Sequence, residues 1–278
     1  MRARSGFTLV ETLVALTISS ILVVLVGSVF LVQNRYSALQ MRRVQVQDNA
    51  RSATELVARE VRSSLNGSVT VAEPDRLVLR SPMVLVGVCA VLGPNTFVHI
   101  EGGADGVDVN EVRGVAVRTA PGVWSFHAAR WSQINGAMGG AAPCAGNGAD
   151  TLGASREYHR LTSLGTYIGS SPAVGDVLVL YRETEFRFRQ STLEPAVTAL
   201  YRGMAGDTLV EFATGMDAGS GFSYRISGGA YNASVTGASL ARIDAVRVTA
   251  RGWLPPETGG QDPVRSGWDV TIPLGNVR

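Results

Sequence analysis

The chain has 278 residues, 45% hydrophobic and 17% charged, with a formal net charge of +2. That hydrophobic share excludes an intrinsically disordered chain, and so small a net charge provides no overall polybasic character of the kind nucleic-acid binding uses. All 25 basic residues are arginine, and the 32 glycines point to a loop-rich, β-rich body.

The first element is a long apolar run from Gly6 to Val32, preceded by Arg2 and Arg4, with no charge between Thr12 and Asn34. As a helix, that uncharged run covers about 30 Å of hydrocarbon, enough to cross a bilayer. One charge, Glu11, stands near its start. A carboxylate there is costly in lipid without a partner, so it is a functional candidate. A secretory signal peptide has a shorter apolar core and a small-residue cleavage site beyond it. A plain signal anchor fits the length but has no need of Glu11. The leader arginines favour a cytoplasmic N-terminus, with the rest across the membrane.

From 35 to 66 the pattern turns amphipathic. Tyr36, Leu39, Val46, Ala50, Ala53, Val57, Val61 and Leu65 recur mostly at three- and four-residue steps, as one stripe that would pack on a sheet. No proline occurs before Pro74, so Phe7 to Leu65 reads as one continuous helix, ended by Asn66-Gly67.

The order of Gly6, Phe7, Thr8, Leu9, Val10 and Glu11 behind a short basic leader, with the apolar run following, resembles the N-terminus of type IV prepilins and of the pseudopilins of type II secretion. The resemblance implies that Gly6 is the last leader residue, cut by prepilin peptidase. It implies that Phe7 becomes the N-methylated N-terminus, and that Glu11 neutralises the terminal amine of a neighbouring subunit. The physics agrees, because an amine and a carboxylate attract strongly in low dielectric and each alone is penalised. Where many major pilins have a proline in the membrane half, this chain has Gly27-Ser28.

Strand signals follow. Val69–Ala72 and Arg76–Arg80 read as a hairpin around Glu73-Pro74-Asp75, and Met83–Leu92 as a separate buried strand. Phe97–Glu101, Glu111–Arg118 and Val123–Arg130 come next, then a Gly-rich loop over Ile134–Gly153 and a turn-rich Thr162–Gly175. In the strand Asp176–Arg189, Leu178, Leu180, Phe186 and Phe188 share one face. Glu183, Glu185, Arg187 and Arg189 share the other, which is expected to meet water. Ala199–Arg202, Asp207–Thr214, Gly221–Ile226, Ala241–Arg251 and Trp268–Leu274 complete the strands. The order VLVLYR, ALYRG, LVEFATGM, FSYR, ARIDAVRVTA and VTIPLGNVR looks like PilW-type minor pilins and J-type pseudopilins. The expected fold is therefore α+β and pilin-like: a long helix on an antiparallel sheet. Residues 1–6 would be leader, 7–34 the membrane and filament-core helix, 35–66 the amphipathic helix, and 67–278 the β-rich domain. An insertion at about 81–175 lies outside the resemblance.

Cys89 and Cys144 both fall in that insertion. Beyond the membrane the compartment is usually oxidising, which favours a disulfide between them over two free buried thiols. His99, His127 and His159 have no metal-ligand spacing, so no metal is expected. Asp105, Asp108, Asn110 and Glu111 do not follow the EF-hand spacing and read as a polar turn. No nucleophile elbow or phosphate loop occurs, so neither catalysis nor a cofactor is expected. Arg187 with Arg189, and Arg247 with Arg251, form rows that could meet phosphates, but Glu183, Glu185 and Asp244 lie beside them. The expected role is thus a minor structural subunit that primes a type IV pilus-type filament near its tip. Its partners would be prepilin peptidase, other major and minor pilins, and the inner-membrane assembly platform. The alternatives are a type II secretion pseudopilin and a DNA-binding tip subunit for natural transformation.

Overall fold

A computed structural model describes residues 8–92, 95–100, 107–108, 110–120, 122–134, 158–163, 172–254 and 263–274. One helix, α1 (Leu9–Ser63, 55 residues), precedes every strand. Thr8 caps its start and Ser64 its end, so it stops just short of Asn66-Gly67. Its buried positions, among them Val46, Ala50, Ala53, Val57 and Val61, follow the expected stripe. Tyr36, expected on that stripe, is instead 63% exposed. The fully buried positions of the helix begin at Val46.

The described residues form thirteen strands in one antiparallel network. β1 (Val69–Ala72) pairs with β2 (Arg76–Leu92) around the expected turn. The two strands expected at Arg76–Arg80 and Met83–Leu92 are one, because a register shift between Pro82 and Val84 lets the proline sit in a bulge without ending the ladder. β3 (Asn95–Ile100), β4 (Gly114–Ala120), β5 (Val123–Ile134) and β6 (Tyr158–Ser163) follow. Then come β7 (Val177–Gln190), β8 (Thr198–Met204), β9 (Val210–Met216), β10 (Gly221–Ile226) and the two-residue β11 (Tyr231–Asn232). A 3₁₀ turn at Gly237–Arg242 leads into β12 (Ile243–Leu254), and β13 (Val264–Pro273) pairs along it.

β2 and β7 pair along most of their length and belong to two cores at once. Beyond the bulge, β2 pairs with β3, β3 with β6, β6 with β5, β5 with β4, and β4 with β7, which closes a six-stranded ring. The order β3-β6-β5-β4 is a Greek key read from its C-terminal end. Each strand of the ring sends a side chain inward: Val86, Val98, Val115, Ala129, Leu161 and Leu178, all nearly fully buried. The stretch around 81–175 is thus a small barrel that shares two strands with the rest of the body.

On the other side of the bulge the same two strands carry the sheet that receives α1. β8 and β9 extend it from β7, β12 joins β9 at Gly252↔Met216, and β10 and β13 flank β12. Phe186 and Phe188 of β7 share this second core with Val57 and Val61 of α1, and Phe188 lies 5.0 Å from Phe222 between ring centroids. The helix comes close over Gly252, where a Cβ would strike Val46. Tyr224 ties β10 to the first hairpin by donating its hydroxyl to the carbonyls of Glu73 (2.8 Å) and Arg76 (3.0 Å).

β7 thus keeps Leu178, Leu180, Phe186 and Phe188 on one inward face as expected, but that face serves two cores. Its opposite face is not uniformly solvated. Glu185 is 4% exposed and accepts two hydrogen bonds from Arg76, at 2.9 and 3.0 Å. A bidentate guanidinium offsets the desolvation that would otherwise keep a carboxylate at the surface.

Candidate assembly interface

The membrane-side half of α1 is where sequence and structure both leave chemistry unfinished. From Leu9 to Val44 its large apolar side chains are exposed, including Leu9 at 77% and Val23 at 71%. It contains an 18-residue window of mean hydropathy 2.6, none of it buried. Four of its hydroxyls, those of Thr12, Thr17, Ser20 and Ser28, each donate to a carbonyl three residues back, at 2.8 to 2.9 Å, so these four do not need water. Gly27-Ser28 does not break the helix, which runs continuously through it.

Glu11 is the exception on this surface. Its carboxylate accepts from the Thr8 backbone N–H and from the Thr8 hydroxyl, both at 3.1 Å, while the Glu11 N–H donates to the Thr8 hydroxyl at 3.3 Å. That reciprocal arrangement is a capping box, and it also places a negative charge at the positive end of the helix dipole. The chain itself therefore supplies hydrogen bonds to Glu11, but no positive charge pairs with it among the described residues. Sequence reasoning found Glu11 but missed the box, although Thr8 three residues earlier was its signal. Gly6 and Phe7, the expected cleavage pair, lie outside the described residues.

Residues 1–27 match the model of the prokaryotic N-terminal methylation motif. That match indicates a protein of the type IV pilin and pseudopilin kind, made as a prepilin and processed by prepilin peptidase. With the one long apolar helix found among the described residues, it supports single-pass membrane anchoring and association with pilin assemblies. Comparison with curated proteins and with solved structures yields no match.

The remaining candidates of this pilin-like chain are dispersed. Cys89 is buried on β2, 3% exposed, and Cys144 lies outside the described residues. His127 is buried, with its Nε2 3.0 Å from the Ser125 hydroxyl; burial and the charge of Arg80 push its pKa down. The side chains of His99 and His159, and Asp105, lie outside the described residues. Asp108 accepts from the Asn110 N–H in a local turn, and Glu111 binds Arg182 at 2.7 Å. No group of three metal-binding side chains occurs among the described residues.

The arginine rows are engaged within the body. Arg187 lies 3.7 Å from Asp75, and Arg225, beside the second row, is 2.9 Å from Asp244. Arg189 stacks over Tyr201 at 3.9 Å and Arg247 over Tyr231 at 3.7 Å. These cations are partly committed to aromatic faces and carboxylates, which lowers their availability to phosphates.

Proposed function

We propose that this chain is a minor structural subunit of a type IV pilus-type filament, acting in assembly and priming near the tip. The observation that carries the reading is the conjunction of the methylation motif with an exposed, uncharged apolar run along α1 and one acid at its start. Cleavage after Gly6 would free the Phe7 amine. A neighbouring amine at Glu11 would then complete, in low dielectric, the charge that the Thr8 capping box leaves unneutralised. The barrel and sheet would face outward while the helices bundle. The role is structural, with no catalytic step assigned to any residue.

N-terminal mass spectrometry of protein from sheared surface fibres tests this. The expected terminus is methylated Phe7, and recovery of chains beginning at Met1, confined to the membrane, overturns it. A type II secretion pseudopilin shares the same observation. Gene deletion separates the two, with loss of fibres and twitching expected for the pilus subunit and loss of an exported hydrolase for the pseudopilin.

A further inference from the structure

The helix covers only part of the sheet face on which it lies. Near the end of α1, β8 and β9 leave a cleft of about 310 Å³ lined by Arg182, Thr184, Arg202, Met204, Val210 and Phe212. Val210 is 69% and Phe212 50% exposed there, although their neighbour Ala213 is in the core. The extra residue in β9 at the β8–β9 register shift produces this, because Leu200 pairs with Ala213 and Tyr201 with Glu211, leaving Phe212 between.

Glu111 and Arg182 pair at 2.7 Å at the cleft, but the acid on the helix beside it is loosely held. The Glu60 side chain is 12% exposed, yet its nearest partners are the Thr184 hydroxyl at 3.4 Å, Arg202 at 3.5 Å and Arg182 at 3.9 Å. The Arg202 Nε is buried and finds no hydrogen-bond acceptor among the described residues.

A second groove lies nearer the membrane, and the Asn49–Thr214 contact stands between the two. The Asn49 side chain donates to the Thr214 carbonyl at 3.1 Å, which fixes β9 against α1. Below that contact, Met41, Val44, Asp48 and Asn49 line a shallow groove on the helix, with Met41 68% and Val44 53% exposed. From Met41 to Glu60 this strip is about 28 Å long, or about five helical turns.

We propose that the strip docks the membrane-distal, amphipathic half of a neighbouring pilin-type subunit's helix, lying parallel to α1. The proposal rests on the filament reading and adds a second contact to it, outside the membrane. The strip is continuous with the exposed apolar half of α1, so a helix seated beside that half is delivered to it in register. Lipid does not reach the cleft: Glu60 stands about 39 Å along the helix from Asn34, and headgroups extend only about 5–8 Å beyond the hydrocarbon. An added strand does not fit either, because Val210 and Phe212 project from a sheet face, where no backbone groups are offered. A helix with apolar side chains at three- and four-residue spacing covers Val44, Phe212 and Val210, and one acceptor on it satisfies Arg202. An exposed aromatic beside an arginine is also the composition that anchors protein interfaces.

The test uses the full chain produced with its filament subunits in the membrane. A photo-crosslinking p-benzoylphenylalanine is placed at Phe212, at Val23 in the apolar half, or at Val123 on the barrel. The expected result is that the probes at Val23 and Phe212 both capture another methylation-motif subunit. The Phe212 adduct maps to the second half of that subunit's helix, and Val123 gives at least about fivefold less product. With the probe at Met41, Val210→Asp lowers the adduct by at least about fivefold. If Val23 crosslinks while Phe212 does not, or the Phe212 adduct maps to strands, this inference falls and the filament reading stands. If both positions are silent, the filament reading falls and takes the inference with it.

Discussion

The two halves of α1 are one unbroken helix and yet behave as different materials. The half after Val46 shows one apolar stripe, and its small residues Ala50, Ala53 and Ala58 let the sheet come close. The half before it carries the uncharged run from Thr12 to Asn34, whose large apolar side chains are exposed all round. A helix of the first kind is stabilised by its own fold, whereas one of the second kind needs lipid or other helices around it. The difference shows that stability and assembly are written in separate stretches of one element, so they should be separable by mutation.

The largest effect is expected at Glu11. Glu11→Val should remain in the membrane but fall at least about tenfold in sheared fibres, measured by quantitative immunoblot of the two fractions. Glu11→Gln sharpens the comparison because glutamine can still close the capping box. Equal loss with both variants assigns the effect to charge, whereas normal assembly of the glutamine variant assigns it to capping. In the packed half, Val57→Ala should cost about 2 kcal/mol of body stability by opening a void in the core under the helix, read from denaturant midpoints. Gly252→Ala should cost about 1–3 kcal/mol, since the new methyl meets Val46 and the helix must lift. Val23→Ala should leave those same midpoints unchanged, and a fall there would break the division between the halves.

A smaller effect concerns the sheet under the helix. Burial by itself would raise the Glu211 pKa, but hydrogen bonds from Ser191, Tyr201 and Thr192 outweigh it and pull the value to about 2, against 4.5 for the free side chain. A folded value below the unfolded one means that the contribution is present above pH 4.5 and fades as pH falls toward about 2. Glu211 is partly exposed, so solvent screening limits the contribution. Glu211→Gln should therefore cost about 1 kcal/mol at pH 7 and close to nothing near pH 2, seen by comparing melts at both.

A bridge between Cys89 and Cys144 is a separate proposal. Intact protein should gain the mass of two hydrogens on reduction, and closure of the loop should contribute about 4 kcal/mol.

Local features were legible where the signal was local. β1 and β10 fall at their expected residues because each is a short apolar run bounded by turn residues. The continuous helix was legible because no proline or turn cluster interrupts it. Glu11 stood out because a lone charge in an apolar run has no local explanation. Reading failed where a distant partner set the outcome. Pro82 looked like a strand end, but pairing with β7 carries β2 past it. Glu185 looked solvated by alternation, but Arg76 on the neighbouring strand buries it. β6 was missed because its six residues mix charge, polar and apolar groups, and it is a strand through its pairing with β3 and β5.

The amino-acid order alone pointed to the apolar anchor, the processing motif, the acid at Glu11 and an amphipathic stripe, of which the part from Val46 onward packs. Each follows from side chains within a few turns of one another, and a helix brings those together without help. Only the tertiary structure decided that β2 and β7 serve two cores, that the inserted strands close into a ring, and that Val210 and Phe212 stay uncovered beside α1. Those outcomes depend on which strands meet across gaps of up to about a hundred residues, and the free energy of such meetings belongs to the pair of strands.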